Sequence, residues 1–397
     1  MTGSTGKNVE RKKRRVLCGI CPAGCWIEAH YDSDGRLVET RPDPDSELGM
    51  ICEIGRRSAQ IVYSPDRLRY PLLRSGPKGS HEFRRISWDQ AFEIIVSKLK
   101  SIRDSYGPEA TAIYTGRGSF ELSECDVFQP KGVAVSSASS VLFPFGSPNT
   151  LGVGALCYVS FAMIAPHVTA GGMMINMFSD IENAELIVIW GANPATDCPP
   201  MDFKRVLQAR QRGAEVVVID PRRNGTALAT EADWIAIRPG TDGALALGLC
   251  QVLIEEELYD ENFAKNWTHG FDDFVRYCQH FRPEVVENVT GVPARVIRRL
   301  ARRLASARGA SPIMYSGLEY SDSGVQAIRA TLTLWALAGH LDVPGGRCFS
   351  MMENQFPMNR QGHIPNPDVK KALGRDRFPL YSAYRGESHA ICLPASV

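Results

Sequence analysis

Four cysteines near the start of the chain are the residues most evidently arranged for chemistry. Cys18, Cys21 and Cys25 lie within eight residues, with Gly19, Pro22 and Gly24 between them to let the backbone fold around a ligand, and Cys52 follows alone. Four thiolates imply a soft metal. Structural zinc usually takes two Cys-x2-Cys pairs, one at each end of its loop, whereas here three ligands crowd together and the fourth arrives separately. That asymmetry suits a cubane 4Fe–4S cluster better. Zinc and unligated buried thiols are the alternatives, and the second is the weaker because thiols this close together are poorly protected from oxidation.

A second set of candidates sits on loops. Short β-branched runs, Leu186–Trp190, Glu215–Asp220 and Trp234–Ile237, alternate with helical patterns over about 201–212 and 243–254, which reads as a parallel sheet covered by helices. In such a doubly wound unit the ligand lies beyond the carboxyl ends of the strands. Three loops leave that edge and should converge: Gly191, Asn193 and Pro194; Asp220, Arg222 and Arg223; and Gly240, Thr241 and Asp242. The third opens a helix whose N-terminal amides can hold phosphate, so a nucleotide is implied. Asp220 is placed to accept hydrogen bonds from ribose hydroxyls or a guanine edge. The plainer alternative is that Asn193 and Asp220 cap turns. No Gly-x-Gly-x-x-Gly follows a strand here, so a nicotinamide or flavin dinucleotide is not supported.

The elements that must position these residues need more than one core, because 397 residues are enough for two or three domains. Hydrophobic content of 44%, charged content of 22% and a net charge of +1 are ordinary for a globular protein and argue against a nucleic-acid partner. The basic run from Arg11 to Arg15 reads as a solvated arm before a first strand. No apolar stretch follows it as a secretory signal would require, and no run is long enough for a membrane span, so the expected residence is cytoplasmic. Eleven cysteines in a reduced compartment suit metal binding rather than disulfides. Strands are expected at Trp26–Tyr31 and Arg36–Thr40 in a first segment that needs a staple. Ser87-Trp88-Asp89-Gln90 is a capping box, after which Phe92, Ile95, Val96, Leu99 and Ile102 recur at helical spacing up to Gly107. A strand at Thr111–Tyr114, another at Pro312–Tyr315 and a helix over about 324–338 complete the outline.

Several stretches together resemble the dimethyl-sulfoxide-reductase family of molybdopterin oxidoreductases. They are Cys52-Glu-Ile-Gly55-Arg56, Val62-Tyr-Ser-Pro65-Asp-Arg67-Leu68-Arg-Tyr-Pro71-Leu72, Ile86-Ser-Trp88-Asp89-Gln-Ala91, Trp190-Gly-Ala-Asn193-Pro194, Ile219-Asp220-Pro221-Arg222, Arg238-Pro239-Gly240-Thr241-Asp242 and Gly339-His-Leu-Asp-Val-Pro344-Gly345-Gly346. The resemblance implies an α/β chain: a small N-terminal iron–sulfur domain at 14–70, an α/β domain around a metal site from 71–175 and 312–397, and a Rossmann-like domain at 176–311. It implies a 4Fe–4S cluster and Mo or W held by bis-molybdopterin guanine dinucleotide, with Gly191, Asn193, Pro194, Asp220, Arg222, Gly240, Thr241 and Asp242 on one guanine dinucleotide.

The family usually adds one protein ligand to the metal. Cys157 is the candidate here, because Gly146-Ser-Pro-Asn149 resembles the approach to the ligand in cysteine-containing members, and Cys125 and Cys198 are rivals. His167, ten residues on, is a candidate proton relay with a structural histidine as the alternative, and Glu319, near Gly317, is a further candidate. Three positions depart from the pattern. Ile54 stands where many members carry a lysine between cluster and pterin, leaving Arg56 as the substitute. Tyr158 stands where formate dehydrogenases place His, which disfavours formate, and Pro22 stands where the acetylene-hydrating member has Asp, which disfavours hydration. The expected function is two-electron oxidoreduction of a small molecule with oxygen or sulfur atom transfer, like the thiosulfate, polysulfide and arsenate enzymes. The alternatives are a non-catalytic iron–sulfur scaffold or a formate-dehydrogenase-like enzyme. Expected partners are an iron–sulfur electron-transfer subunit and, because members continue into a C-terminal β-barrel, a separate subunit supplying that barrel.

Overall fold

In the computed structural model the described residues are 12–21, 23–46, 49–115, 141–152, 159–171, 177–197, 199–349, 368, 371–374 and 376–377. The chain divides into two compact units, Met1–Ala155 with Met358–Val397, and Leu156–Pro357. None of the described helices is long and apolar enough to cross a membrane.

The first unit opens with a three-stranded antiparallel sheet of β1 (Lys12–Leu17), β2 (Trp26–Tyr31) and β3 (Leu37–Pro42) in that order. Alternation along β2 turns Ile27 and Ala29 into the core while Trp26 faces out. The basic run expected as a solvated arm is instead strand from Lys12 onward. It pairs in register with β2, Leu17 opposite Trp26 and Lys12 opposite Tyr31. Lys13 is bridged to Glu28 at 2.7 Å and the Arg15 guanidinium lies 4.7 Å over the Trp26 ring, so acceptors and an aromatic face on neighbouring strands explain the basic residues. Helix α1 (Glu53–Arg56) follows, and α2 (Trp88–Tyr106) begins at the expected capping box, with Ser87 and Gln90 exchanging hydrogen bonds, and stops at Gly107. Two short strands, Ile113–Thr115 and Thr150–Gly152, pair in parallel.

The second unit is built on a fully parallel sheet, β4 (Leu186–Trp190), β5 (Glu215–Ile219), β6 (Asp233–Ile235) and β7 (Ala310–Met314), in the spatial order β6-β5-β4-β7. Every residue of β4 is buried, and its alternate side chains serve two cores. Leu186, Val188 and Trp190 join the core beneath α3 (Asp242–Glu255) and α4 (Gly324–Leu337). Ile187 and Ile189 join a second core with Val206, Ala209 and Ala227 on the opposite face. Burial on both faces is what a β-branched run in a doubly wound sheet requires. The α/β class expected from the sequence is therefore the one found.

One expectation is corrected. Residues from 312 onward were placed with 71–175, yet Ala310–Met314 pairs with Leu186–Trp190 along its whole length and α4 packs into the same core, so the second unit extends to Pro357. The reason is hydrogen bonding between strands far apart in sequence, which periodicity along the chain does not record. The consequence is a topological switch point: from β4 the chain winds one way through β5 and β6, then returns to place β7 on the other side of β4.

Candidate functional site: a thiol cluster and the carboxyl edge of a parallel sheet

The cysteine loop is the connection of the β1–β2 hairpin. Cys18 and Cys25 continue the strand pairing, the Cys18 amide donating to the Cys25 carbonyl at 2.8 Å, and Gly24 takes φ +57° to close the turn back toward Cys21. Cys52 is the N-cap of α1, its sulfur accepting from the Gly55 amide at 3.4 Å. Helix α1 is held against β3 by the Thr40 hydroxyl, which donates to the Gly55 carbonyl at 2.7 Å. A Cβ on Gly55 would meet Cγ1 of Ile51 at 2.6 Å, so the glycine lets the Ile51 side chain pack against α1. The four cysteines thus sit on two elements, the hairpin loop and the N-cap of α1. Cys18 and Cys25 are buried with Ile27 and Ile51, and Cys21 and Cys52 are half-buried. None of the described cysteines is in a disulfide. Burial pushes the Cys18 thiol up and the Cys25 thiol to about 11, each raised further by the neighbouring sulfurs, Cys21 and Cys52 among them. At neutral pH such thiols stay protonated unless a cationic centre takes them as thiolates, so the donor chemistry fits a metal cluster. Among the described residues no group of three or more His, Cys, Asp or Glu side chains is arranged so that it could hold a metal ion, so the donor type fits and the spacing does not show it.

Ile54 and Arg56 both lie exposed on α1.

In the second unit the three expected loops do meet at the carboxyl edge. Asn224 joins two of them, its Nδ2 donating to the Ala192 carbonyl at 3.3 Å and to Oδ2 of Asp220 at 3.1 Å. The third is joined through Trp190, whose indole donates to Oδ1 of Asp242 at 2.8 Å. Much of the polar capacity of these residues is spent internally. Asn193 accepts from the Thr226 hydroxyl at 2.7 Å and amide at 3.1 Å, and Oδ1 of Asp220 accepts from the Arg222 amide at 2.8 Å, an Asx turn. Thr241 donates to the Arg238 carbonyl at 2.6 Å, and burial, with Asp220 adding to it, raises the Asp242 carboxyl above its ordinary range against the Trp190 bond. Turn capping therefore accounts for Asn193 and for much of Asp220. Gly191 is half-buried, Pro194 starts a short buried turn, and Arg222, Arg223 and Gly240 remain exposed at the edge.

A fourth loop at this edge escaped the reading of the nucleotide loops because its strand was assigned elsewhere. Residues 315–319 follow β7 directly across the switch point, and the Gly317 amide donates to the Gly191 carbonyl at 3.0 Å. The two backbones touch: a Cβ on Gly317 would lie 2.5 Å from Cα of Gly191. Glu319 ends this loop, buried. The available signal was a second glycine shortly after a β-branched run.

The approach to the candidate metal ligand is anchored within the first unit, where the Ser147 hydroxyl donates to the Thr111 carbonyl and the Asn149 amide to the Glu109 carbonyl, each at 2.6 Å. Cys157 itself, Tyr158, and the rivals Cys125 and Cys198 lie outside the described residues, as does Pro22. His167 is half-buried in the helix Ala165–Ala170.

The profile of the Molybdopterin oxidoreductase family matches residues 67–372. The chain belongs to this family. Its relatives include the thiosulfate reductase molybdopterin-containing subunit PhsA of Salmonella typhimurium, 31% identical over 83% of this chain and 41% of that protein. Acetylene hydratase of Syntrophotalea acetylenica is 31% identical over 95% of this chain and 50% of the relative. Formate dehydrogenase H of Escherichia coli is 29% identical over 94% and 53%. The solved structure of acetylene hydratase from Pelobacter acetylenicus superposes with a TM-score of 0.74 at 28% identity, covering 94% of this chain and 50% of that one. The chain thus spans about half the length of the curated relatives it matches. Family membership implies a pterin-bound molybdenum or tungsten, and the switch-point edge, with an unpartnered buried oxygen on Glu319, is the feature of this chain that fits such a ligand.

Proposed function

We propose that this chain is the cofactor-binding part of a molybdenum or tungsten oxidoreductase that moves two electrons with an oxygen or sulfur atom, in the manner of thiosulfate, polysulfide and arsenate reductases. What supports the proposal is that Cys18, Cys21 and Cys25 lie on one hairpin loop and Cys52 at the N-cap of α1 in a member of this family. Residues 14–70 then form the domain of a 4Fe–4S cluster, four buried or half-buried thiols giving each iron one thiolate. The carboxyl-edge residues Gly191, Pro194, Arg222, Gly240 and Thr241, with Asn193, Asp220 and Asp242 holding their loops in place, would carry one guanine dinucleotide of a bis-molybdopterin cofactor, and Cys157 would ligate the metal. When bound, that metal supplies a two-electron redox centre. A reducible oxide takes two electrons and two protons and leaves its oxygen as water. Arg56, on the same helix as Ile54, would substitute for the lysine that many members carry at that position.

PhsA, to which the chain is similar, is described as a subunit, and a separate iron–sulfur subunit is the partner that such an electron path calls for. Likeness in fold to acetylene hydratase favours hydration as a second reading, which Pro22 opposes.

Anaerobic purification with elemental analysis tests the proposal. About four irons per chain together with Mo or W and extractable pterin is the expected result. Iron alone supports a scaffold role, and one zinc without iron refutes both. Cys157→Ser is expected to change the paramagnetic signal of the pterin-bound metal, and an unchanged signal removes Cys157 from the ligand set.

A further inference from the structure

Glu319 stands on the switch-point loop after β7 and is only 6% exposed. Its two oxygens have different surroundings. Oε1 accepts from the Ser160 hydroxyl and, at 3.1 Å, from the Phe161 amide. Ser160 and Phe161 open the π-helical turn Val159–Ile164, which begins two residues after Cys157. The same junction is packed by rings: Phe161 meets Tyr315 edge-on, centroids 5.9 Å apart and planes at 71°. Oε2 is buried and has no hydrogen-bond partner among the described residues. Burial raises the carboxyl above its ordinary range, opposed by the bonds from Ser160 and Phe161.

A carboxyl group is a costly way to tie two segments if one oxygen suffices. A glutamine would offer the same acceptor without the penalty of burying an ionisable group, and an acceptor left buried and unpaired costs about as much as a lost hydrogen bond. The second oxygen therefore calls for a donor that the described residues do not supply. Ligands of a doubly wound sheet lie at the switch point, where this loop is. Pterin rings carry amino and ring N–H donors, and the guanosine half of the dinucleotide carries ribose hydroxyls.

We propose that Glu319 is a positioning residue that latches the segment following Cys157 to the switch-point loop through one oxygen and accepts a hydrogen-bond donor of the bound pterin cofactor on the other. The second contact rests on the function proposed above. The latch does not.

Two variants of the full chain, made in a host that produces the cofactor, separate these contacts. In Glu319→Gln the amide oxygen must take the Oε1 position, because Ser160 and Phe161 both donate, so its NH2 group faces the cofactor's donor. Amide exchange across residues 159–164 is expected to match wild type while pterin per chain, measured by fluorescence of the oxidised extract, falls several-fold. In Glu319→Leu both are lost, and exchange at Phe161 should rise roughly tenfold. Wild-type exchange in Glu319→Leu overturns the latch. Wild-type pterin content in Glu319→Gln overturns the second contact. Should Glu319→Leu fail to fold, Ser160→Ala tests the latch in its place, with faster exchange at Phe161 expected and an unchanged rate refuting it. A wild-type chain that holds no pterin refutes the proposed function and the second contact together, whereas the exchange rates still decide the latch.

Discussion

Replacing Gly317 by alanine should separate the two loops that meet at the switch point. The added Cβ would lie 2.5 Å from Cα, 2.6 Å from the carbonyl oxygen and 2.9 Å from the carbonyl carbon of Gly191, all backbone atoms that no rotamer change can move. Relief requires one loop to shift by about 1 Å against ordinary van der Waals spacing. That shift would stretch the bond from the Gly317 amide to the Gly191 carbonyl, now 3.0 Å. Overpacking of this kind costs about 1–3 kcal/mol, and the weakened hydrogen bond adds about 1 kcal/mol. In the opposite direction, alanine lowers the entropy of the unfolded chain and restores about 0.4–1 kcal/mol. The net is a destabilisation of roughly 1–3 kcal/mol, and because a unit of about 200 residues loses about 2–4 °C per kcal/mol, Tm should fall by about 2–12 °C. Differential scanning calorimetry of wild type and Gly317→Ala measures it. A midpoint within 1 °C of wild type would show that the close approach of Gly191 and Gly317 contributes nothing to the unit, and the reasoning that places a ligand crevice between them would fall with it.

Cys25→Ser should abolish most of the bound iron, since the hydroxyl is a poor substitute for a thiolate that the fold buries among three others; iron and acid-labile sulfide per chain give the answer, and full occupancy would remove Cys25 from the ligand set. Asp242→Asn should stabilise the second unit at neutral pH. The folded carboxyl titrates above its unfolded value, so the stability it contributes is fully present below the unfolded value of 3.8 and is lost as pH rises through the folded one. Asparagine keeps an acceptor for the Trp190 indole without that loss, so urea unfolding should show the variant's advantage growing as pH rises from below 3.8 toward 7; an advantage that does not change with pH refutes the assignment.

The strands of the parallel sheet were readable because each side chain of Leu186–Trp190 goes into one core or the other, which demands an unbroken apolar run. The capping box at Ser87 was readable for the same local reason. Local pattern was right that the Lys and Arg run near the N-terminus is solvated, Lys12–Arg15 all being exposed, but the run is itself the first strand, where Lys13 meets Glu28 and Arg15 meets Asp43 and Trp26. It also left the long helix Trp88–Tyr106 with an expected apolar stripe but no buried residue, Trp88 and Phe92 being 61% and 58% exposed.

By itself the sequence determined the α/β class, the family and the three loops at the carboxyl edge, because spacing along the chain records burial and turn chemistry directly. Only the tertiary structure decided that Ala310–Met314 pairs beside Leu186–Trp190. That pairing creates the switch point, brings Gly317 against Gly191 and sets Glu319 against Ser160 and Phe161. The physical reason is that a parallel pair is closed by backbone hydrogen bonds across a long crossover. Their energy depends on where the intervening helices pack, which no short stretch of residues encodes.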